Sequence, residues 1–316
     1  MFSLLNLVSG FLETGAIIFA LRHFDVNVAL VAAILYQFGN LVPHPIQLSK
    51  QTTSIFTVFY AILILGSLYF PLLGIIATPF LLGALQSVRS GMKTDSGKMR
   101  KRSFRMLGFL LGFLFNVYLG LLCAAITLAA VILASQSSEN NINIPRFKKL
   151  QVVMMLHQTH YFVYCYAVML IAYQQGGALV AAGLFFAGWL TYVFAPLAWK
   201  KGKNYRKMFL LGHSVLTIIL LSIFFVPSLY AKVASWLLTG LGGTTEYCIG
   251  QLEKQTGNYH ELNHNCAENF GHILGVVICL GACLVTADLY ISVLLAAIFA
   301  LCAIMLMATV KNKGEV

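Results

Sequence analysis

Charged side chains are scarce in this sequence, and their scarcity excludes most soluble classes. Asp, Glu, Lys and Arg make up 10% of the 316 residues, whereas hydrophobic residues make up 59% and the mean hydropathy is +0.82. Soluble domains carry roughly 25% charged residues. We therefore expect an all-α polytopic membrane protein, in which apolar helices cross a lipid bilayer.

Paired cysteine motifs and nucleic-acid motifs are also missing. The seven cysteines include no CxxC pair and lie mostly inside apolar runs, so we interpret them as packing residues and expect no disulfide framework. The net charge of +11 is concentrated between apolar runs, at Arg89–Arg105, Arg146–Lys149 and Lys200–Lys207. Basic residues in such positions are typical of cytoplasmic loops, which argues against a nucleic-acid partner.

What the chain does contain is an internal repeat. Residues 29–39 (ALVAAILYQFG) and 178–188 (ALVAAGLFFAG) are identical at seven of eleven positions, at an offset of 149. Two further pairs of matching segments follow in the same order: Ile62–Leu65 with Ile218–Leu221, then Gly108-x-x-x-Gly112 with Gly271-x-x-x-Gly275. The shared order of the matching segments predicts two homologous halves.

Apolar runs predict twelve transmembrane helices, six in each half. They lie near 3–21, 28–43, 53–69, 71–88, 104–118, 120–136, 151–173, 177–198, 208–225, 228–248, 267–285 and 289–310. The run from 103 to 136 is divided near Asn116–Gly120, because basic loops 89–105 and 199–207 then both face the cytoplasm. The predicted organisation is an N-terminal bundle 1–136, a cytoplasmic linker 137–150 and a C-terminal bundle 151–316. Both termini are expected inside, and the bundles are parallel repeats.

Two motifs and this layout resemble the major facilitator superfamily. Thr239–Gly243 is similar to the family's glycine-rich stretch in span ten, and Ala267–Gly275 is similar to the start of its span eleven. The family's signature loop between spans two and three is replaced by Pro43–Lys50. The resemblance implies a secondary transporter whose two bundles rock about a central site near the middle of the bilayer.

Glu13 is the leading candidate for a functional residue. It lies about eleven residues into the first span, or roughly 16 Å deep at ~1.5 Å per residue. A carboxylate there costs at least ~2.5–3.5 kcal/mol on insertion scales, so its presence needs an explanation. It could bind a proton reversibly or contact substrate; alternatively, it is neutralised by a hydrogen bond between helices.

His157 and His160 in span seven form the second candidate site. They lie one turn apart on one helix face, and Tyr164 continues that face. They could line a cavity for an anionic or metal-bearing substrate, relay a proton, or link helices as buried polar groups. The eight histidines of the chain are scattered over both ends of several spans. We therefore expect that they do not converge on a single cluster and that the protein is not a metalloenzyme.

Other candidates have narrower roles. Lys232, with Trp236 one turn later in span ten, could meet a negative substrate or reach outward to the membrane interface. Glycines are expected to allow close helix contact, namely Gly108, Gly112, Gly240, Gly243, Gly271 and Gly275. His260, His264 and Cys266 are competent metal ligands if their segment is helical.

These features favour a proton-coupled secondary transporter over two alternatives. The expected partners are a small molecule, a proton and the lipid bilayer of a bacterial inner membrane. We expect a monomer that needs no cofactor and is not an enzyme. A siderophore-like or amphiphilic cargo fits the polar candidates, with drug-like compounds and small organic acids also open. The alternatives are a non-transporting subunit or receptor on a transporter-like scaffold, and a membrane metalloenzyme.

Overall fold

The computed structural model of the protein describes residues 2–42, 44–47, 50–76, 98–114, 117–134, 141–199, 204–243 and 245–310. Over these residues the chain is almost entirely helical, and it divides into two compact units, Met1–Ile144 and Pro145–Val316. Among the described residues, five helices are long and apolar enough to cross a bilayer, which marks the chain as an integral membrane protein. They are found within Leu4–His23, Lys149–Tyr192, Tyr205–Phe225, Glu261–Thr286 and Leu289–Ala308.

The first unit contains five complete helices and a short pair of strands. They are α1 (Phe2–His23), α2 (Val26–Leu41), β1 (Ile46–Gln47), α3 (Lys50–Gly66), α4 (Lys98–Gly112), α5 (Val117–Ala134) and β2 (Asn141–Ile142). Residues 71–76 are also helical, and the rest of the predicted span 71–88 lies outside the described residues. Strands β1 and β2 pair antiparallel, with Ile46 opposite Ile142. Sequence analysis did not predict this ladder, which joins the Pro43–Lys50 segment to the predicted linker.

The described part of the second unit contains six helices. They are α6 (Lys149–Trp199), α7 (Tyr205–Phe225), α8 (Leu229–Gly243), α9 (Glu246–Gln255), α10 (Glu261–Thr286) and α11 (Leu289–Ala308). The predicted spans 151–173 and 177–198 are joined in the 51-residue α6, which is kinked where Gly177 adopts φ 71° and ψ −170°. The predicted span 228–248 corresponds to α8, but its end differs, because α8 ends at Gly243 and the separate, more polar α9 follows.

Local sequence explains several helix starts. Asp25 accepts a hydrogen bond from the backbone N–H of Val28 at 2.9 Å and caps α2. Asp288 caps α11 in the same way through Tyr290, at 2.8 Å. Such caps satisfy backbone donors that lack a partner within the helix.

Glycines bring α1 and α4 into backbone contact in the first unit. A Cβ atom on Gly108 would overlap the carbonyl oxygen of Leu7, and one on Gly112 would lie 2.8 Å from the carbonyl oxygen of Phe11. Gly10 on α1 meets Arg105 on α4 equally closely. The two helices can cross at this distance only because Gly10, Gly108 and Gly112 carry no side chain.

The same type of crossing occurs between α6 and α10 in the second unit. A Cβ atom on Gly271 would lie 2.5 Å from the carbonyl oxygen of Met155, and one on Gly275 would lie 2.6 Å from that of Thr159. Gly240 packs similarly against Thr191 and Tyr192, on the second half of α6. The glycines of the two crossings are 163 positions apart (Gly108 and Gly271, Gly112 and Gly275), and their partner residues are 148 positions apart (Leu7 and Met155, Phe11 and Thr159).

Candidate functional site

Glu13 lies in an ionic cluster within the first unit. Its Oε2 accepts hydrogen bonds from Tyr36 Oη at 2.8 Å and from Arg105 Nη2 at 2.9 Å. The two donors come from α2 and α4, so the carboxylate joins three helices. Tyr36 is almost completely buried, whereas the Arg105 side chain is 42% exposed. The cluster combines a buried acid with a partly accessible guanidinium.

Sequence analysis missed Arg105. We had assigned it to the basic cytoplasmic loop 89–105, but it lies seven residues into α4, where it reaches Glu13. Ionisable side chains inside the membrane usually pair with one another. The available signal was the position of Arg105 at the end of the basic segment, just inside the apolar run that begins at residue 104.

Three buried histidines form a second cluster, in the second unit. His157 Nδ1 lies 2.9 Å from His213 Nε2, and His160 Nε2 lies 3.2 Å from the same His213 atom. All three side chains are buried. Our expectation that the histidines would not converge was therefore wrong for these three.

Helix geometry explains the convergence. His157 lies eight residues after the start of α6 at Lys149, and His213 lies eight residues after the start of α7 at Tyr205. At ~1.5 Å per residue both lie about 12 Å along their helices. Matching these depths could have identified His213 from the sequence.

Two oxygen atoms lie within hydrogen-bond distance of the second ring nitrogen of His213. Its Nδ1 lies 3.2 Å from the Phe209 carbonyl oxygen and 3.0 Å from Thr245 Oγ1. The carbonyl can only accept, and Thr245 donates its own proton to the Gly242 carbonyl. His213 Nδ1 therefore carries the proton, and Nε2 presents a lone pair to the cluster.

An aromatic row continues from the histidines. The His160 and Tyr164 rings are stacked at a centroid distance of 6.1 Å, and Tyr164 meets Trp236 edge-on at 5.9 Å. Trp236 donates its indole N–H to the Leu184 carbonyl oxygen at 2.8 Å. The predicted residues His157, His160, Tyr164 and Trp236 thus form one contiguous set within the second unit.

Lys232 contacts an aromatic ring and is not part of either cluster. Its Nζ lies 3.8 Å from the centroid of the Tyr290 ring, in a cation–π contact between the first turns of α8 and α11. This contact at helix ends agrees better with the interfacial alternative than with a substrate contact.

The structure does not bring His260, His264 and Cys266 together as a metal site. In the part of the chain that the structure describes, the one group of three or more His, Cys, Asp or Glu residues with ligand atoms within 4.8 Å is His157, His160 and His213. His264 Nδ1 instead contacts Glu253 Oε2 at 2.6 Å. The prediction required all three residues to lie in one helix. His264 and Cys266 do lie in α10, but His260 is only its N-terminal cap residue.

Glu253 organises the segment between α9 and α10. It is fully buried and also accepts a hydrogen bond from Gln151 Nε2 at 2.8 Å. Its backbone carbonyl accepts from the N–H groups of Asn258 and Tyr259. Because Glu253 ties α6, α9 and α10 together, we interpret it as a structural residue. Sequence analysis missed it because we had placed it outside the helices.

Comparison with known proteins identifies the fold. No family model and no curated protein matches the sequence. Among solved structures, a mutant of the nucleoside transporter NupG matches with a TM-score of 0.62 and 14% identity, over 98% of this chain and 100% of that chain. The human organic anion transporter MFSD10 (TETRAN) matches with a TM-score of 0.54 and 12% identity, over 96% of this chain and 83% of that one. The chain therefore has a major-facilitator-like fold.

Proposed function

We propose that this protein is a secondary active transporter that moves a small molecule across a membrane by alternating access. The fold carries the proposal, because nearly the whole chain is similar to two proteins that are themselves transporters. Glu13 and its partners add a charged group within apolar helices, which in membrane proteins is typical of substrate and proton pathways.

The proposed architecture has twelve transmembrane helices in two parallel six-helix repeats, 1–136 and 151–316, joined by linker 137–150. Support comes from the glycine crossings: the contacts of Gly108 with Leu7 and of Gly271 with Met155 follow the repeat in the sequence. A duplicated unit would conserve such a crossing because a larger residue there would separate the helices.

Proton coupling is assigned to Glu13. In the arrangement described above, the ionised carboxylate is held by Arg105 and Tyr36. When Glu13 takes up a proton, its carboxyl group becomes neutral and the ion pair with Arg105 is lost. Protonation thus changes the contacts among three helices, which is how a small chemical event can bias a conformational equilibrium.

The direction of transport depends on which form of Glu13 binds the cargo. An amphiphilic or siderophore-like cargo that donates hydrogen bonds to the carboxylate competes with the proton, which gives proton antiport and export. An anionic cargo that pairs with Arg105 binds best when Glu13 is protonated, which gives symport. We propose antiport, and Arg105 makes symport of an anion the second candidate.

The remaining elements of the proposal concern the membrane. Basic segments 89–105, 146–149 and 200–207 would face the cytoplasm, with both termini on that side of a bacterial inner membrane. The functional unit would be a monomer, and no enzymatic activity or resident cofactor is proposed.

Reconstituted vesicles test the transport function. Purified protein in liposomes is assayed for uptake of labelled nucleosides, organic anions, amphiphilic drugs and ferric siderophores, with empty liposomes as the blank. We expect saturable uptake of at least one class. Correctly folded protein that moves none of them above the blank would favour the non-transporting scaffold.

A further inference from the structure

We propose that His157, His160 and His213 form a binding site for a first-row divalent transition-metal ion within the second unit. Imidazole nitrogens are preferred ligands of zinc, copper, nickel and iron ions. The proposal stands on these three residues and does not depend on the transport function.

The spacing of the nitrogens fits an ion. Zn–N bonds of about 2.0–2.1 Å in a tetrahedral site place ligand nitrogens about 3.3 Å apart. The two nitrogen–nitrogen distances at His213 Nε2 are 2.9 and 3.2 Å. The ligand nitrogens of all three residues lie within 4.8 Å of one another, so ring movements that bring His157 and His160 closer together would place the three nitrogens around one ion.

Second-sphere contacts favour the same interpretation. The proton on His213 Nδ1, held by Phe209 and Thr245, leaves Nε2 free to coordinate. Metal-binding histidines commonly donate their other N–H to such oxygens, which fixes the ring and its tautomer. Thr245 would act as a positioning residue, because it acts through His213.

The energetic cost of the cluster also calls for a ligand. His160 is completely buried, and its Nδ1 has no hydrogen-bond partner among the described residues. An unsatisfied buried polar group costs about 1–3 kcal/mol. A coordinate bond at Nε2 leaves Nδ1 itself without a partner, but the free energy of metal binding adds to that of folding and would offset the cost.

Three imidazoles leave a fourth position on a tetrahedral ion. The imidazoles are neutral when they bind metal, so the ion keeps its full charge in an apolar setting, where an uncompensated charge is costly. An anionic oxygen ligand in the fourth position would reduce that charge. The site would therefore accept water, hydroxide or a carboxylate, phenolate or similar group of a small molecule.

Cobalt(II) and zinc(II) serve as the probes. Full-length protein, purified without a polyhistidine tag, is titrated with cobalt(II), and we expect one equivalent to give the strong visible absorption of a four-coordinate ion. X-ray absorption of the zinc-loaded wild type should then show nitrogen or oxygen neighbours at about 2.0 Å. A missing cobalt band, or a sulfur neighbour at about 2.3 Å, would overturn the proposal.

Matched variants locate the site. His160→Gln and His213→Asn should each weaken zinc binding by more than about 10–100-fold, the effect of losing even an outer-sphere partner. Thr245→Val should weaken it by about 10-fold. His272→Gln is the control, because His272 Nε2 contacts Gln158 at 3.2 Å, outside the cluster. Equal losses in the control and the cluster variants, or unchanged binding in all of them, would contradict the assignment.

Discussion

Arg105 Nη2 lies 2.9 Å from Glu13 Oε2 and joins α4 to α1 through an ion pair. The pair spans 92 positions of sequence and shares its acceptor oxygen with Tyr36. The contact gives the first unit a polar centre, and it supplies the first prediction.

Glu13→Gln and Arg105→Gln should each destabilise the protein, and the double variant should cost less than their sum. Each single change leaves the other group without its charged partner, at about 1–3 kcal/mol, whereas the double change removes both charges. Thermal unfolding in detergent of the wild type, the two single variants and the double variant gives the coupling free energy between the two side chains. Additive effects would show that the two side chains do not interact.

Tyr36→Phe provides the matched control for that cycle. It removes the hydrogen bond to Glu13 and the longer one, at 3.4 Å, from Arg105 Nη2 to the Tyr36 hydroxyl, and it keeps the ion pair, so we expect a loss of about 1 kcal/mol. A loss as large as that of Arg105→Gln would mean that the phenol, and not the guanidinium, holds the carboxylate.

Gly108→Ala should destabilise the first unit by about 1–3 kcal/mol, because its methyl group would overlap the Leu7 backbone and force α1 and α4 apart. Gly183→Ala is the control: its new Cβ would meet nothing within 4 Å, and the better helix former should be neutral or stabilising. Unfolding midpoints measure the difference. Equal effects of the two changes would argue against the close crossing.

Gly177→Ala separates backbone strain from crowding. A Cβ atom at Gly177 would also meet nothing within 4 Å, but its φ of 71° is one that alanine rarely adopts. We expect a loss of about 1–3 kcal/mol from strain alone, compared with Gly183→Ala in the same helix. An unaffected unfolding midpoint would show that α6 can straighten at no cost.

Glu253→Ala should destabilise the second unit by about 1–3 kcal/mol, because it leaves the donors of Gln151 and His264 without their acceptor. Glu261→Ala, at an exposed position eight residues later, should stay within about 0.5 kcal/mol. Comparable losses in both variants would contradict the structural role of Glu253.

Sequence patterns predicted the helices well where hydrophobicity alone decides. Apolar length and the placement of basic loops separated α4 from α5, although α4 ends at Gly112, before the predicted turn at Asn116–Gly120. The glycine pairs were recognised from their spacing. The end of α8 at Gly243 was missed, because Gly243 was interpreted only as a packing residue.

The candidate sites were predicted residue by residue but without their partners. Glu13, His157 and His160 stood out because polar groups are rare in apolar runs. Arg105 did not stand out, because it resembled a loop residue. His213 did not stand out either, because its proximity to His157 and His160 appears only when depths along two helices are compared. Pairing between distant segments depends on packing, which hydrophobic periodicity does not encode.

Proton-driven transport by wild type and Glu13→Gln tests the central claim most directly. With a cargo identified in vesicles, accumulation driven by a pH gradient is measured beside exchange at equal pH, with Glu261→Ala at an exposed position as the control. The account predicts that Glu13→Gln loses accumulation but continues to exchange cargo, while Glu261→Ala keeps both. Gradient-driven accumulation by Glu13→Gln at the wild-type rate would contradict the account.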